Sequence, residues 1–437
     1  RTYRHLLTAQ IIALVGTGLA TVALGLLAFD IAGGNAGAVL GTALAIKMIA
    51  YIGVAPVVGA FADKLPRRAF LVTMDLIRCG VALLLPFVTE IWQVYLLIFV
   101  LQSASAAFTP TFQATIPDVL PKEADYTRAL SLSRLAYDLE SLLSPMLAAV
   151  LLSVMSFHWL FAGTAVGFIG SALMVLSVVL PRSPAKPRTG GIYAHTTRGI
   201  RFYLKTPRLR GLLAVNLAAA AASAMVIVNT VVIVRQVLGL GQGQVAWALA
   251  AYGGGSMIAA LALPRVLDRV KDRTVMLTGS ILLAALLATG AAAFEWVGNE
   301  SQLWTMLLVL WSLLGLAYSA SITPSGRLLR RSSGESDRPA IFAAQFALSH
   351  VCWLIAYPLA GQVGARFGQS TVFLALSVLA ALGVLAAFVS WPSGDADEVD
   401  HTHDDLEPDH PHLTAHGNGA AHKHAYFIDD LHESWPV

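Results

Sequence analysis

Apolar runs of about twenty residues recur along the chain from Leu6 to Trp391, each long enough for a helix to cross a hydrocarbon layer roughly 30 Å thick. They fall near 6–28, 38–62, 69–89, 92–114, 128–155 and 158–180, and again near 209–235, 243–267, 274–297, 302–322, 339–363 and 370–391. Of 437 residues 56% are hydrophobic and only 13% charged, and the mean hydropathy is +0.67, which excludes an ordinary soluble enzyme. The first run exceeds a signal peptide's core and lacks an evident cleavage site, so a retained span is expected, in a chain missing residues before Arg1. Cys79 and Cys352 both lie inside apolar runs and offer neither a disulfide framework nor a thiolate pair.

A hydrophilic stretch opening Pro181-Arg182-Ser183-Pro184-Ala185-Lys186-Pro187-Arg188 parts the runs into two sets of six. The expected fold is an all-α membrane protein: twelve transmembrane helices in two six-helix pseudo-repeats, with a disordered His-rich cytoplasmic tail. The expected units are an N-terminal bundle 1–180, a cytoplasmic linker 181–208, a C-terminal bundle 209–391 and a His/Asp-rich tail 392–437. Charge sets the orientation, because Lys and Arg collect in loops on the inner side of a membrane. With an inner N-terminus, the inner loops and termini flanking the spans carry 23 Lys and Arg and the outer loops only Arg235 and Arg366. Both termini are therefore expected in the cytoplasm, and the basic loops call for no nucleic-acid partner.

Gly59, Asp63, Lys64 and Arg68 follow the second run, and Pro264, Asp268, Arg269 and Arg273 follow the eighth, at a constant offset of 205 residues. Both clusters lie in the turn after the second helix of a set, as an internal repeat requires. Gly59-Ala60-Phe61-Ala62-Asp63-Lys64-Leu65-Pro66-Arg67-Arg68 resembles the G-x-x-x-D-[RK]-x-[GP]-R-[RK] loop of the major facilitator superfamily, and the resemblance runs over residues 1 to about 391. Phe108-Thr109-Pro110, Ile116-Pro117-Asp118-Val119-Leu120-Pro121 and the segment from Arg198 to Arg210 resemble its macrolide and siderophore exporter branch, which implies efflux. The resemblance also implies that Gly59, Asp63, Lys64, Arg67 and Arg68, with Asp268, Arg269 and Arg273, form a conformational gate. In that reading Asp63 accepts hydrogen bonds or sits at a helix N-terminus, the arginines latch the cytoplasmic side near Asp337-Arg338-Pro339, and the contacts hold an outward-open state. The plainer alternative is a set of topology-setting charges. Two departures stand out: Ser144-Pro145 where antiporters of this superfamily often carry Gly-Pro, and Pro264 in place of the opening Gly.

Charges inside the runs are few, since each costs about 2.5–3.5 kcal/mol at a helix centre on insertion scales: Lys47, Asp75, Arg78, Arg134, Asp138 and Glu140. Asp75 and Arg78, three apart, read as a structural pair, and Arg134 with Asp138, four apart, as another. Glu140 falls about 200° round the helix from Asp138, so Arg134 cannot readily serve both carboxylates. Glu140 is thus the candidate for proton coupling, against a partner on another helix. His350, near mid-run, is either a transport residue or hydrogen-bonded packing. In the superfamily helix 2 lies beside helix 11, which implies Lys47 near His350 and so disfavours a fixed cation there. Asn216 and Asn229 stay unassigned between path lining and helix contacts.

Eight of the twelve histidines fall after residue 395, as His401-x-His403, His410-x-His412, His416, His422-x-His424 and His432, among Asp404, Asp405, Glu407 and Asp409. In extended chain, i and i+2 side chains point the same way, so each H-x-H is a pair of imidazoles. Imidazole with carboxylate and no thiolate suits nickel, cobalt, zinc or copper(II). With this tail the chain resembles nickel-resistance permeases of the NreB type. The expected function is secondary-active efflux of a divalent metal, nickel or cobalt first, driven by protons, from a monomer in a bacterial inner membrane. The metal is substrate or tail ligand, and no tightly bound cofactor is expected. The alternatives are an exporter of an organic compound with a regulatory tail and a membrane metal sensor that does not transport. No nucleotide-binding loop, nucleophile elbow or HExxH helix supports an enzyme.

Overall fold

A computed structural model of the chain describes residues 2–61, 66–120, 144, 147, 148, 150–180, 192–334, 337–394, 398–402, 413, 421–429, 431, 432, 434 and 435. The helices of the first set are α1 (Thr2–Ala32), α2 (Ala36–Phe61), α3 (Arg67–Leu84), α4 (Ile91–Val119) and α5 (His158–Leu176). The linker contributes α6 (Ile192–Lys205). The second set comprises α7 (Pro207–Val232), α8 (Gln242–Leu267), α9 (Asp272–Trp296), α10 (Glu300–Ile322), the short α11 (Ser325–Arg331), α12 (Arg338–Phe367) and α13 (Gln369–Ser390). Ten apolar helical stretches among the described residues are long enough to cross a membrane, and the first, Thr2–Val54, contains both α1 and α2. The expected fifth run, 128–155, lies largely outside the described residues.

Local chemistry sets the helix ends. Gly33 turns α1 into α2 with φ +51, and Gly368 turns α12 into α13 with φ +84, a left-handed backbone that side chains resist. At the start of α10 the Asn299 side chain accepts from the Gln302 amide at 3.1 Å, and at α4 the Glu90 amide donates to Gln93 Oε1 at 3.1 Å. Pro207 and Pro339 occupy first-turn positions, where no amide is lost. Successive helices run between two ends of the bundle: a linker end, where α6 lies, and a far end. Exposed Trp92, Trp159, Trp247 and Trp296 all fall near far-end helix termini, as an aromatic belt at a membrane surface does.

In the first set α1 packs on α5, α3 on α5 and α4, and α2 on α4; in the second α7 packs on α13, α9 on α13 and α10, and α8 on α10. The sets join chiefly through α2 against α12. Helix α7 is buried on all sides, and its run Ala218–Ala222 is fully shielded, the small side chains letting neighbours approach. The linker is not merely a hydrophilic tether: α6 lies against α12 and buries Phe202 and Tyr203.

The expected disordered tail is corrected in part. Strands β1 (Glu398–Thr402) and β2 (Ala421–Ala425) pair antiparallel, with His401 opposite His422. Tyr426 and Ile428 are buried in one cluster with Leu209, Met276, Leu328, Ile341 and Trp391 at the linker end, and Trp435 packs against it. Histidine and acid content alone argues against a core, but these few apolar residues dock on a core the helices already provide.

Candidate functional site

Asp63 and Lys64 lie outside the described residues, and Gly59 is described only as part of α2. Arg67 and Arg68 open α3, where Arg67 is buried and Arg68 Nη2 donates to the Leu176 carbonyl at the end of α5. Arg273, 205 positions on, opens α9 and donates through Nε and Nη2 to the Trp391 carbonyl after α13, at 3.1 and 3.0 Å. Each arginine thus caps the last helix of its own set, where unpaired carbonyls and the negative end of the helix dipole favour a cation. Asp268 and Arg269 are exposed in the α8–α9 turn. The start of α12 is held from the linker, since Asp337 accepts from Arg198 Nε at 3.1 Å and its Nη2 lies at 3.1 Å. Arg273→Ala is expected to cost about 0.3–1 kcal/mol, read as earlier thermal unfolding in detergent, with insertion unchanged.

Arg134, Asp138 and Glu140 lie outside the described residues. Asp75 is fully buried, pairs with Arg78 and accepts from Ser171 Oγ at 2.8 Å. The Arg78 guanidinium lies between the rings of Phe108 and Phe168, 4.3 and 4.6 Å from their centres. This pair therefore ties α3 to α4 and α5.

Between the sets, Tyr51 of α2 stacks on His350 of α12 with ring centres 5.3 Å apart and planes 9° apart. Lys47 Nζ lies 6.0 Å from the Tyr51 ring, and Phe346 leans on both Tyr51 and His350. His350 Nδ1 is 2.6 Å from the Phe346 carbonyl, so one ring nitrogen is committed to its own helix. Toward the far end the seam narrows until only glycine fits: a Cβ on Gly41 would stand 2.5 Å from the Tyr357 carbonyl, and one on Gly361 would overlap the Gly37 carbonyl. Asn229 Nδ2 donates to the Ala360 carbonyl at 3.2 Å, tying α7 to α12, whereas Asn216 Nδ2 donates to the Leu212 carbonyl of its own helix at 2.8 Å. Arg235 closes the same end with its guanidinium 5.4 Å from the Phe29 ring. The sequence signal for this seam is Gly37-x-x-x-Gly41, the small-residue spacing of close helix contacts.

In the tail His403, His410, His412 and His416 lie outside the described residues, and His401 is described only as part of β1. His422 and His424 have ring centres 5.2 Å apart, and His424 and His432 5.3 Å apart. His432 Nδ1 lies 2.9 Å from Asp429 Oδ1, which also accepts the Leu431 and His432 amides at 2.9 and 2.7 Å. Burial alone would raise the Asp429 carboxyl, but these bonds from His432 and Leu431 hold it below its usual range. Burial, with the Asp429 charge beside it, pushes the Tyr426 phenol up to about 12.

Two packed sets of apolar helices, with ten stretches among the described residues long enough to cross a membrane, define a multi-pass membrane protein. The sequence pattern of the Major Facilitator Superfamily matches residues 6–241 and 212–415, and the chain belongs to that superfamily. It is 22% identical over 334 residues to the uncharacterized MFS-type transporter YfiS of Bacillus subtilis (strain 168), spanning 74% of this chain and 78% of that protein. Macrolide efflux protein A of Enterococcus faecalis is 25% identical over 153 residues, 33% of this chain and 47% of that relative. The fold is similar to a crystal structure of the nucleoside transporter NupG, with TM-score 0.70 and 14% identity over 90% of this chain and all of that one.

Proposed function

We propose that the chain is a secondary-active exporter of a divalent transition metal, nickel or cobalt before zinc, in a bacterial inner membrane. It works as a monomer by alternating access, with both termini in the cytoplasm. The halves 1–180 and 209–391, joined by 181–208, rock about the α2–α12 seam as two pseudo-repeats, a reading supported by their matching neighbour sets. Protons enter through Glu140, with the Arg134–Asp138 pair beside it and His350 at the seam. The loop at Gly59, Asp63, Lys64, Arg67 and Arg68, with its second copy, changes partners as the sets move. The metal reading rests on one observation, the adjacent imidazoles of His422, His424 and His432 at the linker end. The remaining tail histidines collect ions beside them.

A second reading, export of an organic compound, is favoured by the likeness to macrolide efflux protein A. Everted vesicles carrying the protein and energised by an inward-acid pH gradient separate the two. Accumulation of nickel or cobalt, lost in Glu140→Gln, is the expected result. Accumulation of a macrolide without metal would transfer the assignment to organic export. Movement of neither would leave the chain without the proposed activity.

A further inference from the structure

Helices α8 and α9 both pack on α10, and between them a groove runs inward from the linker end. Ile258, Ala262 and Val266 of α8 and Thr278 and Leu282 of α9 line its walls, and Leu316 of α10 lies at its floor. Its volume is about 370 Å³, within the range of small-molecule clefts, and its lining is almost wholly apolar. Along α8 the lining reaches from Ile258 to Val270, a rise of roughly 18 Å at 1.5 Å per residue. That matches one leaflet of a hydrocarbon layer roughly 30 Å thick. Close backbone approach fixes the floor: a Cβ on Gly255 would overlap the Ser312 carbonyl, and one on Gly279 would stand 2.9 Å from the Ala317 carbonyl. The groove is therefore set by how α8 and α9 seat on α10. Ile258, Leu261 and Leu282 are exposed around it, so it faces hydrocarbon.

At the linker end the groove opens beside a basic turn. The Asp268 and Val270 amides donate to the Pro264 and Val266 carbonyls at 3.3 and 2.8 Å, so helical geometry carries on past Leu267. At 100° per residue Arg269 falls within the arc of the α8 lining and Arg265 at its edge, whereas Asp268 falls on the other side of the helix. Arg265, Arg269 and Lys271 are exposed, and among the described residues they form no ion pair. Their charged neighbours are engaged elsewhere: Asp272 lies 3.7 Å from Arg327, and Arg273 donates to the Trp391 carbonyl.

We infer that the groove and the basic turn form one site for an anionic phospholipid of the leaflet that meets the linker end. One acyl chain lies in the groove, and the phosphate meets Arg265, Arg269 and Lys271 at headgroup level. Both parts of the molecule find their complement, since an apolar channel one leaflet long takes the chain and unpaired cations at its mouth take the anion. Basic pockets between membrane helices hold anionic headgroups in this way, and guanidinium groups match phosphate oxygens in pairs. Bound there, the lipid bridges α8 and α9 and stabilises the second set by mass action. The inference does not depend on what the protein carries.

The test uses the full chain purified in detergent, to which phosphatidylglycerol or phosphatidylcholine of identical acyl chains is added. Native mass spectrometry counts the lipid retained, and thermal unfolding is followed in parallel. Phosphatidylglycerol is expected to bind at least about tenfold more tightly than phosphatidylcholine and to raise the unfolding temperature further. Joining Arg265→Gln, Arg269→Gln and Lys271→Gln should weaken phosphatidylglycerol about a hundredfold, from roughly fivefold per charge, and leave phosphatidylcholine unchanged. Ala262→Phe keeps all three charges and sets a ring in the groove; it should weaken phosphatidylglycerol about tenfold, the loss expected when two methylenes are kept out. All four side chains are exposed, so these changes leave the packed core intact. Equal retention of both lipids by the parent means an unselective lipid coat and overturns the site. Parental binding in the triple variant overturns the headgroup contact, and parental binding in Ala262→Phe overturns the groove. A parent that runs as a dimer, is parted by Ala262→Phe and ignores both lipids also overturns the site, because the groove is then an interface between two copies.

Discussion

Gly361→Leu is expected to abolish net transport while the protein still inserts and folds. A Cβ at this position overlaps the Gly37 carbonyl, and since that oxygen and the Cα carrying the Cβ are both helix backbone, neither can step aside without parting α2 from α12. Overpacking of this kind costs about 1–3 kcal/mol, and because it acts on the far-end contact between the sets it biases the conformational balance about 5- to 150-fold. Cysteines placed at the far end of the seam should become reactive from outside in Gly361→Leu and stay protected in the parent. Gly41→Ala, where the added methyl meets the Tyr357 carbonyl, should give a smaller change in the same sense. Parental transport and protection in both variants would show that the seam does not need to close this tightly.

The second large effect concerns folding. Arg78→Met leaves the buried Asp75 carboxylate with Ser171 as its remaining donor among the described residues. Removing one partner of a buried ion pair costs about 3–5 kcal/mol, so folded Arg78→Met protein should be scarce in the membrane and unfold early in detergent. Joining Asp75→Asn to Arg78→Met removes the isolated charge and should restore most of the yield, since a neutral buried pair escapes the penalty. Size-exclusion yield and thermal unfolding measure both variants. A double variant as defective as Arg78→Met would assign the loss to the cation–aromatic contacts with Phe108 and Phe168 instead.

Much of the architecture was legible in the residues because a bilayer imposes a simple rule, that apolar runs of about twenty become helices. The runs near 243–267 and 274–297 became Gln242–Leu267 and Asp272–Trp296, within two residues. The Asp75–Arg78 pair was legible for a similar reason, since charges three apart on a helix must meet. Its outer partners Ser171, Phe108 and Phe168 come from other helices and could not be read.

Sequence by itself determined where the long apolar helices among the described residues form and which residues carry charge into an apolar setting, because hydropathy and helical spacing are local properties. Only the tertiary structure decided what those residues touch. Arg68 and Arg273 matched in sequence, yet that each caps the closing helix of its own set depends on two helices brought together from distant parts of the chain. The tail's composition predicted disorder, and Tyr426, Ile428 and Trp435 overrode that locally by docking on a surface built from α6, α7, α9, α11, α12 and α13. The glycines of the seam carry no chemistry of their own, and their importance arises only where two backbones approach too closely for a Cβ.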